Sequence, residues 1–332
     1  MSRVLVIGKI HAAGLEILAA RQGLTLVALE DPGAPIPLEE VVRADAILIR
    51  YGVLSEEAVR SARNLRVVSR HGVGCDNLPV SALSALGIPI SIVGPVTAIS
   101  VAEQVIAMIL AASKRLVRYD AAVRAGRWSI RDSIGTFEIY EKTLLLLGFG
   151  RIGREVAQRA RALGMRVLAH DPGVSTADMQ SLGVEAVANW RERLGDVDVL
   201  SLHVPLDAST KHIVDAAVLD KVKSTAMIVN TARGGLVDEL ALHRALTTRM
   251  LEGAAALDTF ALEPVGEDHP LCHLPNVILS PHSAALTREA SKRMGVVAAR
   301  NVLAGLDGTL NPALVFNRQA LESNGHWLES SV

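Results

Sequence analysis

Short, continuous runs of valine, isoleucine and leucine recur along the chain, and longer stretches with helical spacing separate them. Five such runs precede residue 95, at 3–7, 24–28, 46–49, 65–69 and 88–92. Seven more follow residue 140, in the stretches TLLLLG, MRVLAH, VEAVA, VDVLSLH, AMIVN, AAALD and VILS. Strands that are apolar throughout and separated by helices are typical of parallel sheets buried on both faces. The chain is therefore predicted to have an α/β fold with a doubly wound parallel sheet.

The chain has 332 residues, more than a single hydrophobic core usually holds. A helical stretch between the two groups of strands starts with SVAE, which matches a capping box with Ser100 as N-cap and Glu103 at the third helical position. The segment after the last strand is helical to about Leu303 and is expected to pack back on the first domain. We therefore predict a discontinuous first domain, 1–98 plus 286–332, and a second domain, 99–285, with a ligand-binding cleft between them.

Composition narrows the possible partners and the compartment. The 34 basic and 35 acidic side chains nearly cancel, which argues against a surface that binds nucleic acid or a membrane. The most apolar segment, SVAEQVIAMILAAS, is predicted to be too short to span a bilayer. Cys75 and Cys272 form no CxxC motif and no cluster with histidine, so neither a disulfide framework nor a metal site is expected. With no signal peptide predicted, we expect a cytoplasmic protein.

A glycine-rich turn lies between one of the apolar runs and the helical pattern that follows it. In TLLLLGFGRIGREVA, Gly148, Gly150 and Gly153 form the pattern G-x-G-x-x-G. The next strand ends at Asp171, 21 residues beyond Gly150. In a dinucleotide-binding turn, the first glycine allows the tight turn, the second lets a pyrophosphate approach the backbone, and the third lets the helix pack on the strand.

The same turn predicts which cofactor binds. The phosphates lie at a helix N-terminus, where unpaired N–H groups and the helix dipole favour anions. Asp171 is expected to accept hydrogen bonds from the adenosine ribose, and its negative charge repels a 2′-phosphate. We therefore predict NAD rather than NADP; the alternative is an ordinary glycine-rich turn in a βαβ unit.

Three polar side chains follow separate strands of the second group. Arg233 comes after MIVNTA, Glu263 after AAALDTFAL, and His282 after VILSP. Because ligands of open α/β sheets bind at the carboxyl ends of the strands, these residues are expected to share one edge of the sheet. A carboxylate bonded to an imidazole favours the protonated ring and fixes its tautomer, and a guanidinium binds a carboxylate with two parallel hydrogen bonds. The set suits hydride transfer to a 2-oxo acid; taken singly, a surface arginine and a structural histidine are the alternatives.

With these motifs assembled, the chain resembles the D-isomer-specific 2-hydroxyacid dehydrogenases over nearly its whole length. The stretches that carry the resemblance are RHGVGCDNLP, SVAEQ, LLGFGRIGREVA, HDP, SLHVPL, NTARGGLVDE, LDTFALEP and SPHSAALT. The resemblance implies a flavodoxin-like substrate domain, discontinuous in sequence, around a Rossmann-type NAD domain. It also implies a homodimer formed through the nucleotide-binding domain.

The resemblance also assigns roles to residues. It implies that Arg233, Glu263 and His282 are catalytic, that Asp258 binds the nicotinamide carboxamide, and that the backbone at Val73 and Gly74 grips the substrate carboxylate. We expect further cofactor contacts at these positions: Arg151, Ile152, Val204, Pro205, Thr210, Thr231, Ala232 and Ala284.

In this interpretation, protonated His282 donates its proton to the substrate carbonyl as hydride arrives, Arg233 polarises that carbonyl, and Glu263 keeps the imidazolium populated. Two departures from the family pattern concern the site. Ser283, Ala284 and Ala285 stand where the family often has two glycines, and GPVTAISVAEQ lacks the usual asparagine and histidine.

Two other functions are considered. Some transcriptional co-repressors have this fold and the same three residues and sense NAD(H) without turnover, but they carry additional tails. Formate dehydrogenases of the family pair their histidine with glutamine, and Glu263 argues against that subgroup.

The substrate's third substituent is expected to face the first domain. Arg50 and Arg70 each end a predicted strand there, and the phosphoglycerate dehydrogenases of the family carry arginines at the matching places. Arginine geometry suits phosphate oxygens, so the leading pair is 3-phosphoglycerate and 3-phosphohydroxypyruvate. Hydroxypyruvate and glyoxylate are the alternative substrates, since Tyr51 and His71 beside the arginines suit a hydroxymethyl group. Two exposed surface arginines are the remaining alternative.

Overall fold

The computed structural model describes residues 1–31 and 34–326. These residues form twelve strands, which coincide with the apolar runs: β1 Ser2–Ile7, β2 Leu24–Leu29, β3 Ala46–Ile49, β4 Val67–Arg70, β5 Ile90–Ser91, β6 Thr143–Leu147, β7 Arg166–His170, β8 Glu185–Ala186, β9 Val199–Leu202, β10 Met227–Asn230, β11 Ala254–Leu257 and β12 Val277–Leu279.

Ten helices connect strands of the described chain, and α11 and α12 follow the last strand: α1 Ala12–Ala19, α2 Leu38–Val42, α3 Glu56–Ser61, α4 Val80–Ala85, α5 Ala98–Ser113, α6 Leu116–Arg124, α7 Arg151–Ala162, α8 Thr176–Ser181, α9 Ala216–Leu219, α10 Glu239–Thr248, α11 Arg288–Asp307 and α12 Arg318–Ser323.

The strands form two sheets, and every pairing between named strands is parallel. The five-stranded sheet has the order β2-β1-β3-β4-β5, and the seven-stranded sheet has the order β12-β11-β10-β9-β6-β7-β8. The first order is that of flavodoxin-like sheets, and the second contains the Rossmann order with one further strand. The predicted α/β fold class, a Rossmann-type sheet with a flavodoxin-like one, is confirmed.

The chain divides into two compact units, one of Met1–Thr97 with Thr287–Val332 and one of Ala98–Leu286. Each predicted domain boundary lies one residue away from the boundary in the structure, because the prediction was 1–98 with 286–332 for the first domain and 99–285 for the second. Residues 327–332 of the predicted first domain lie outside the described residues.

The core of the second unit lies on both faces of its sheet. Strand β6 shows why a continuous apolar run is needed: Leu145 and Leu147 belong to the cluster under α9 and α10, while Leu144 and Leu146 belong to the cluster under α5 and α7. All four leucines are at most 1% exposed. Neighbouring side chains of a strand point to opposite faces, so a strand covered on both sides has no position that faces solvent.

In the first unit, the C-terminal segment of the chain covers one face of the sheet. Helix α11 packs on α1 and on strands β3 and β4. Two glycines allow the helices to approach closely, because a Cβ on Gly14 would lie 2.5 Å from the carbonyl oxygen of Gly295. Met294, Ala298 and Val302 of α11 share a buried cluster with Val4 of the first strand. The two sequence segments of this unit therefore share one core.

The capping box predicted at Ser100 is wrong. Helix α5 begins at Ala98, directly after a 3-10 turn over Gly94–Thr97. Ser100 therefore lies inside the first helical turn, where it is buried, and Glu103 is exposed at the helix surface. Because the 3-10 turn leads straight into the helix, the helical backbone starts two residues before the predicted cap.

The length argument against a membrane span also fails for this helix. With its 3-10 turn, the stretch Gly94–Ser113 has 20 residues and passes the length and composition test for a span. However, 61% of its most apolar window is buried inside the protein. Packing of α5 on α7 and on β10 and β11 accounts for its apolar character.

Candidate active site

The three predicted catalytic residues follow neighbouring strands of the seven-stranded sheet. Strands β10, β11 and β12 are adjacent and parallel, so their carboxyl ends lie at the same edge. Arg233 follows β10, Glu263 follows β11 and His282 follows β12. The sheet topology therefore brings all three loops to one edge, as the sequence predicted.

His282 and Glu263 form a direct pair. Nδ1 of His282 lies 2.8 Å from Oε2 of Glu263, and the side chains are 47% and 36% exposed. The other carboxylate oxygen, Oε1, accepts a hydrogen bond of 3.0 Å from the backbone N–H of Phe260. The carboxylate is thus held between the backbone and the imidazole, and its contact with Nδ1 leaves Nε2 as the ring nitrogen for a substrate.

His282 has an unusual backbone conformation. Its φ of +50° lies in the left-handed region, which a residue with a side chain adopts only when its surroundings enforce it. Its backbone N–H donates to the carbonyl oxygen of Asp258 at 2.8 Å. None of Ser283, Ala284 and Ala285 has a positive φ, so the turn needs no glycine after the histidine.

Asp258 holds the turn that carries His282. Its carboxylate accepts hydrogen bonds from the backbone N–H groups of Ser283 and Ala284, each at 2.9 Å, and from the hydroxyl of Ser280. Asp258 is only 1% exposed. The sequence suggested a cofactor contact for this carboxylate but not its three bonds to residues 280–284.

Arg233 lies in a well-braced loop. Its Nη1 donates to the carbonyl oxygen of Ala232 at 2.7 Å, and the Asn230 side chain donates to the Arg233 carbonyl at 2.8 Å. The next residue, Gly234, packs against the Phe260–Ala261 peptide, where a Cβ would lie 1.8 Å from the carbonyl carbon of Phe260. The loops that carry Arg233 and Glu263 are therefore in direct backbone contact.

The glycine turn after β6 has the geometry that a dinucleotide requires. Gly148 has φ +98°, and a Cβ there would lie 2.7 Å from the carbonyl carbon of His203. A Cβ on Gly153 would lie 2.4 Å from the Gly148 carbonyl oxygen, so the helix packs closely on the turn. At Gly150, by contrast, a Cβ would meet nothing within 4 Å. Gly150 caps α7 without a side-chain hydrogen bond, so the helix N-terminus faces open space that fits a pyrophosphate.

Asp171 lies beside this turn, one residue after β7. Its Oδ2 accepts from the N–H of Phe149 at 2.8 Å, and its Oδ1 accepts from the N–H of Gly173 at 2.9 Å. A carboxylate has about four acceptor positions, so two are left for ribose hydroxyls. These residues fit an adenosine ribose next to the pyrophosphate position.

The other predicted cofactor residues lie at the same carboxyl edge. Arg151 and Ile152 open α7, Val204 and Pro205 follow β9, and Thr231, Ala232 and Ala284 follow β10 and β12. The Thr210 hydroxyl donates to the Pro205 carbonyl at 2.7 Å and so braces that loop. The buried Thr231 hydroxyl has no hydrogen-bond partner among the described residues, which fits a position next to a ligand.

The predicted substrate arginines of the first unit donate hydrogen bonds to backbone carbonyls of other residues in the same unit. Arg50 donates from Nη1 to the Lys9 carbonyl at 2.7 Å. Arg70 donates from Nε to the Gly74 carbonyl at 2.8 Å and from Nη1 to the carbonyls of Ile49, at 3.1 Å, and Arg50. The Arg70 guanidinium therefore braces the loop that contains Val73 and Gly74.

The low pKa values of two histidines, His71 and His203, were not predicted from the sequence. Burial, with Arg50 and Arg70 nearby, lowers the pKa of His71 to about 4, and neither ring nitrogen has a hydrogen-bond partner in the described part of the chain. Burial lowers the pKa of His203 to about 4, and its Nε2 lies 2.9 Å from the Ser201 hydroxyl. Both rings are thus neutral at pH 7, and no local sequence pattern reports such burial.

Comparison with known proteins agrees with this site. The family model described as D-isomer specific 2-hydroxyacid dehydrogenase, NAD binding domain, matches residues 106–284, more than half of the chain. A D-3-phosphoglycerate dehydrogenase of Methanocaldococcus jannaschii is 37% identical over 317 residues, covering 93% of this chain and 58% of the relative. A glyoxylate reductase of Korarchaeum cryptofilum is 36% identical over 320 residues, covering 94% and 95%. The chain spans about half the length of the curated phosphoglycerate dehydrogenases that it matches.

Two solved structures are similar over nearly the whole chain. A D-lactate dehydrogenase from Aquifex aeolicus, complexed with NAD and lactic acid, has a TM-score of 0.81 and 29% identity, covering 92% of this chain and 96% of that one. A glyoxylate reductase from Paecilomyes thermophila has a TM-score of 0.83 and 30% identity, covering 96% and 99%. The family match, the length of these similarities and the shape of the glycine turn lead to one conclusion. This chain belongs to the D-isomer-specific 2-hydroxyacid dehydrogenase family and contains its NAD-binding domain at residues 106–284.

Proposed function

We propose that this protein is an NAD-dependent D-2-hydroxyacid dehydrogenase, which interconverts a D-2-hydroxy acid and its 2-oxo acid. The observation that carries the proposal is the His282–Glu263 pair, at 2.8 Å, on the same sheet edge as the open glycine turn. A proton donor and a nicotinamide cofactor at one edge are what the reduction of a ketone requires.

The cofactor, when bound, gives or accepts the hydride at the second carbon of the substrate. In reduction, protonated His282 donates its proton from Nε2 to the carbonyl oxygen, and in oxidation the neutral ring takes the hydroxyl proton. Arg233 polarises the carbonyl and binds the carboxylate. The carboxylate contact expected at the backbone of Val73 and Gly74 stays a prediction. Glu263 stabilises the imidazolium and fixes its tautomer through Nδ1. In reduction, one hydride and one proton add across the carbonyl.

The cofactor residues follow from the open glycine turn. Gly148, Gly150 and Gly153 with Arg151 and Ile152 hold the pyrophosphate, and Asp171 binds the adenosine ribose. The remaining contacts are assigned to Val204, Pro205, Thr210, Thr231, Ala232, Arg233, Asp258, His282 and Ala284. The negative charge of Asp171 supports NAD over NADP.

The leading substrate pair is 3-phosphoglycerate and 3-phosphohydroxypyruvate. The phosphoglycerate dehydrogenases among the relatives and the arginines at 50 and 70 support it. A single hydrogen bond of the Arg50 guanidinium, to the Lys9 carbonyl, leaves donors for an anion. The second candidate is glyoxylate or hydroxypyruvate, favoured by the relative from Korarchaeum cryptofilum, which this chain matches over 95% of that relative's length.

Substitution of the two arginines separates these substrates. With Arg50→Ala, KM for phosphohydroxypyruvate should rise much more than KM for glyoxylate. With Arg70→Ala, KM should rise for both, because the bond from Nε to the Gly74 carbonyl is lost and the carboxylate-binding loop loosens. Equal effects of Arg50→Ala on both substrates would eliminate the phosphate assignment.

The class of function is tested by NADH oxidation with a panel of 2-oxo acids. An enzyme consumes NADH with at least one of phosphohydroxypyruvate, hydroxypyruvate, glyoxylate and pyruvate and returns the 2-hydroxy acid, which has the D configuration for every substrate except glyoxylate, whose product is achiral. Tight NADH binding without turnover of any of them would favour the co-repressor-like sensor instead.

We also propose a homodimer formed through the second unit. Large apolar side chains at the start of α6 and in the segment between α6 and β6 are exposed, with Leu116 at 60%, Val117 at 61%, Trp128 at 66% and Ile134 at 87%. Exposed apolar patches of this kind mark protein interfaces. Trp128→Asp should convert a dimer to a monomer in light scattering, whereas Leu251→Asp, at another exposed leucine of this unit, should not.

We also propose a cytoplasmic location, which is supported by Cys75 and Cys272, since they form no disulfide. The expected partners are a small-molecule acid and a second copy of the chain, without nucleic acid or membrane.

A further inference from the structure

The loop that carries Glu263 is fastened to a second glutamate. This loop, Phe260 to His269, follows β11, and Glu239 is the first residue of α10. Oε1 of Glu239 accepts from the backbone N–H of Ala261 at 2.7 Å, and Oε2 lies 3.2 Å from Nε2 of His269. The side chains of Glu239 and His269 are 14% and 24% exposed. One largely buried carboxylate thus holds both ends of the loop.

Two consecutive backbone amides divide their bonds between the two glutamates. The N–H of Phe260 donates to Glu263 at 3.0 Å, and the N–H of Ala261 donates to Glu239 at 2.7 Å. Gly234 packs on the same Phe260–Ala261 peptide from the side of Arg233. This peptide directly follows the Phe260 amide that holds the Glu263 carboxylate.

Helix capping does not explain the contacts of the Glu239 carboxylate. The cap of α10 is Asp238, whose side chain accepts from the N–H of Ala241 at 3.0 Å. The Glu239 carboxylate instead reaches residues 22 and 30 positions further along the chain. Its bonds serve the loop and not the first turn of its own helix.

We propose that Glu239 is a positioning residue for the acid–base pair. It acts through the Ala261 amide, which sets the Phe260 amide and thereby keeps the Glu263 carboxylate against Nδ1 of His282. The inference rests on the proposed function, in which that pair transfers the proton. Glu239 itself contacts neither substrate nor cofactor in this proposal.

The first test is Glu239→Ala measured against Glu239→Gln. The alanine variant should lower kcat of reduction by about tenfold to a hundredfold, since small displacements of catalytic groups have effects of that size. KM for the 2-oxo acid and for NADH should change by less than about twofold. The rate should also fall at a lower pH than in the parent, because a misplaced Glu263 stabilises the imidazolium less. Glutamine keeps an oxygen for the Ala261 amide and should restore most of kcat.

The decisive test is a double-mutant cycle with Glu263→Gln. If Glu239 acts through Glu263, then adding Glu239→Ala to Glu263→Gln should lower kcat by less than about twofold. Equal losses in both backgrounds, or an unmoved pH profile in Glu239→Ala, would overturn the positioning role.

Controls separate this role from general stability and from the proposed function. Glu252→Ala removes an exposed glutamate of the same unit and should leave kcat, the pH profile and the melting temperature unchanged. Should Glu239→Ala fail to fold, His269→Leu removes one of the two loop contacts and should give a smaller loss of kcat, again absent in the Glu263→Gln background. If Glu263→Gln alone keeps the parent's rate and pH profile, the proposed catalytic pair itself is wrong.

Discussion

The first βα turn of each unit follows the strand at which the order of its sheet reverses, and the two turns are built in opposite ways. In the first unit, Gly8 follows β1 with φ +100°, and a Cβ there would lie 2.9 Å from Cβ of Arg50 and 3.0 Å from the Tyr51 ring. The N-terminus of α1 is capped by the His11 side chain, which accepts from the N–H of Ala13 at 3.1 Å. In the second unit, the space at Gly150 is open and α7 has no side-chain cap.

The comparison shows that strand order alone does not make a nucleotide site. Both sheets are parallel and both turns begin with a glycine of positive φ. Only the second turn leaves unpaired helix N–H groups facing space that an anion can occupy. The strand ends differ in the same way: the Arg50 and Arg70 guanidinium groups bond backbone carbonyls, whereas Glu263 and His282 form an accessible pair.

The largest effect should come from His282→Ala, which tests whether the chemistry belongs to the second unit. Removing a positioned acid–base group should lower kcat by about 10²–10⁴. NADH affinity, measured by fluorescence, should change little. His273→Ala, at an exposed histidine of the same unit, is the control. Near-normal turnover of the His282 variant would refute the assignment.

The second prediction compares the two units through their buried neutral histidines. The pKa of His71 in the first unit and of His203 in the second is lowered from 6.5 to about 4. In the unfolded chain these rings bind a proton below pH 6.5, whereas in the folded protein they stay neutral down to about pH 4. The free energy of unfolding therefore has its full value above pH 6.5 and decreases as the pH falls from 6.5 to about 4. The loss should reach at most about 3 kcal/mol for each group.

Urea unfolding between pH 7.5 and pH 5 measures this loss. His71→Leu and His203→Gln should each flatten part of the acid dependence, while His243→Gln on α10 should leave it as in the parent. An acid dependence that both variants retain in full would show that other groups cause it.

The third prediction exchanges the properties of the two turns. Gly150→Val fills the open space and should weaken NADH binding by about tenfold to a hundredfold, with little change in melting temperature. Gly8→Ala meets Arg50 at 2.9 Å in a left-handed backbone, so it should lower the melting temperature and leave NADH affinity unchanged. If both substitutions acted alike on NADH binding, the contrast between the turns would have no functional meaning.

The smallest effect concerns the choice of cofactor. Asp171→Asn keeps an acceptor for the Phe149 or Gly173 amide and removes the charge that repels a 2′-phosphate. The ratio of kcat/KM with NADPH to that with NADH should rise by about threefold to tenfold. A parent protein that already prefers NADPH would contradict the cofactor assignment.

The parts of this molecule that could be predicted are those with a local signature. Continuous apolar runs marked the buried strands, and the spacing of Gly148, Gly150 and Gly153 marked the turn, because each glycine has its own steric reason. The loops of Arg233, Glu263 and His282 could be placed at one edge because parallel strands share their direction.

The features that escaped prediction depend on contacts distant in sequence. No periodicity in the sequence connects the partners of these bonds: Arg70 with Ile49, Asp258 with residues 280–284, and Glu239 with Ala261. The cap at Ser100 failed for a related reason, since a neighbouring 3-10 turn determined where the helix begins.

The shared core of the first unit has a consequence for synthesis of the chain. Its two segments are separated by the 189 residues from Ala98 to Leu286, and Met294, Ala298 and Val302 complete the cluster around Val4. At translation rates of about 5–20 residues per second, the first segment waits about 10–40 s for α11 to leave the ribosome. During that time one apolar face of its sheet lacks its cover, while the second unit is contiguous in sequence and can fold as it emerges. Nascent chains stalled before and after residue 307 should therefore differ in their affinity for holdase chaperones.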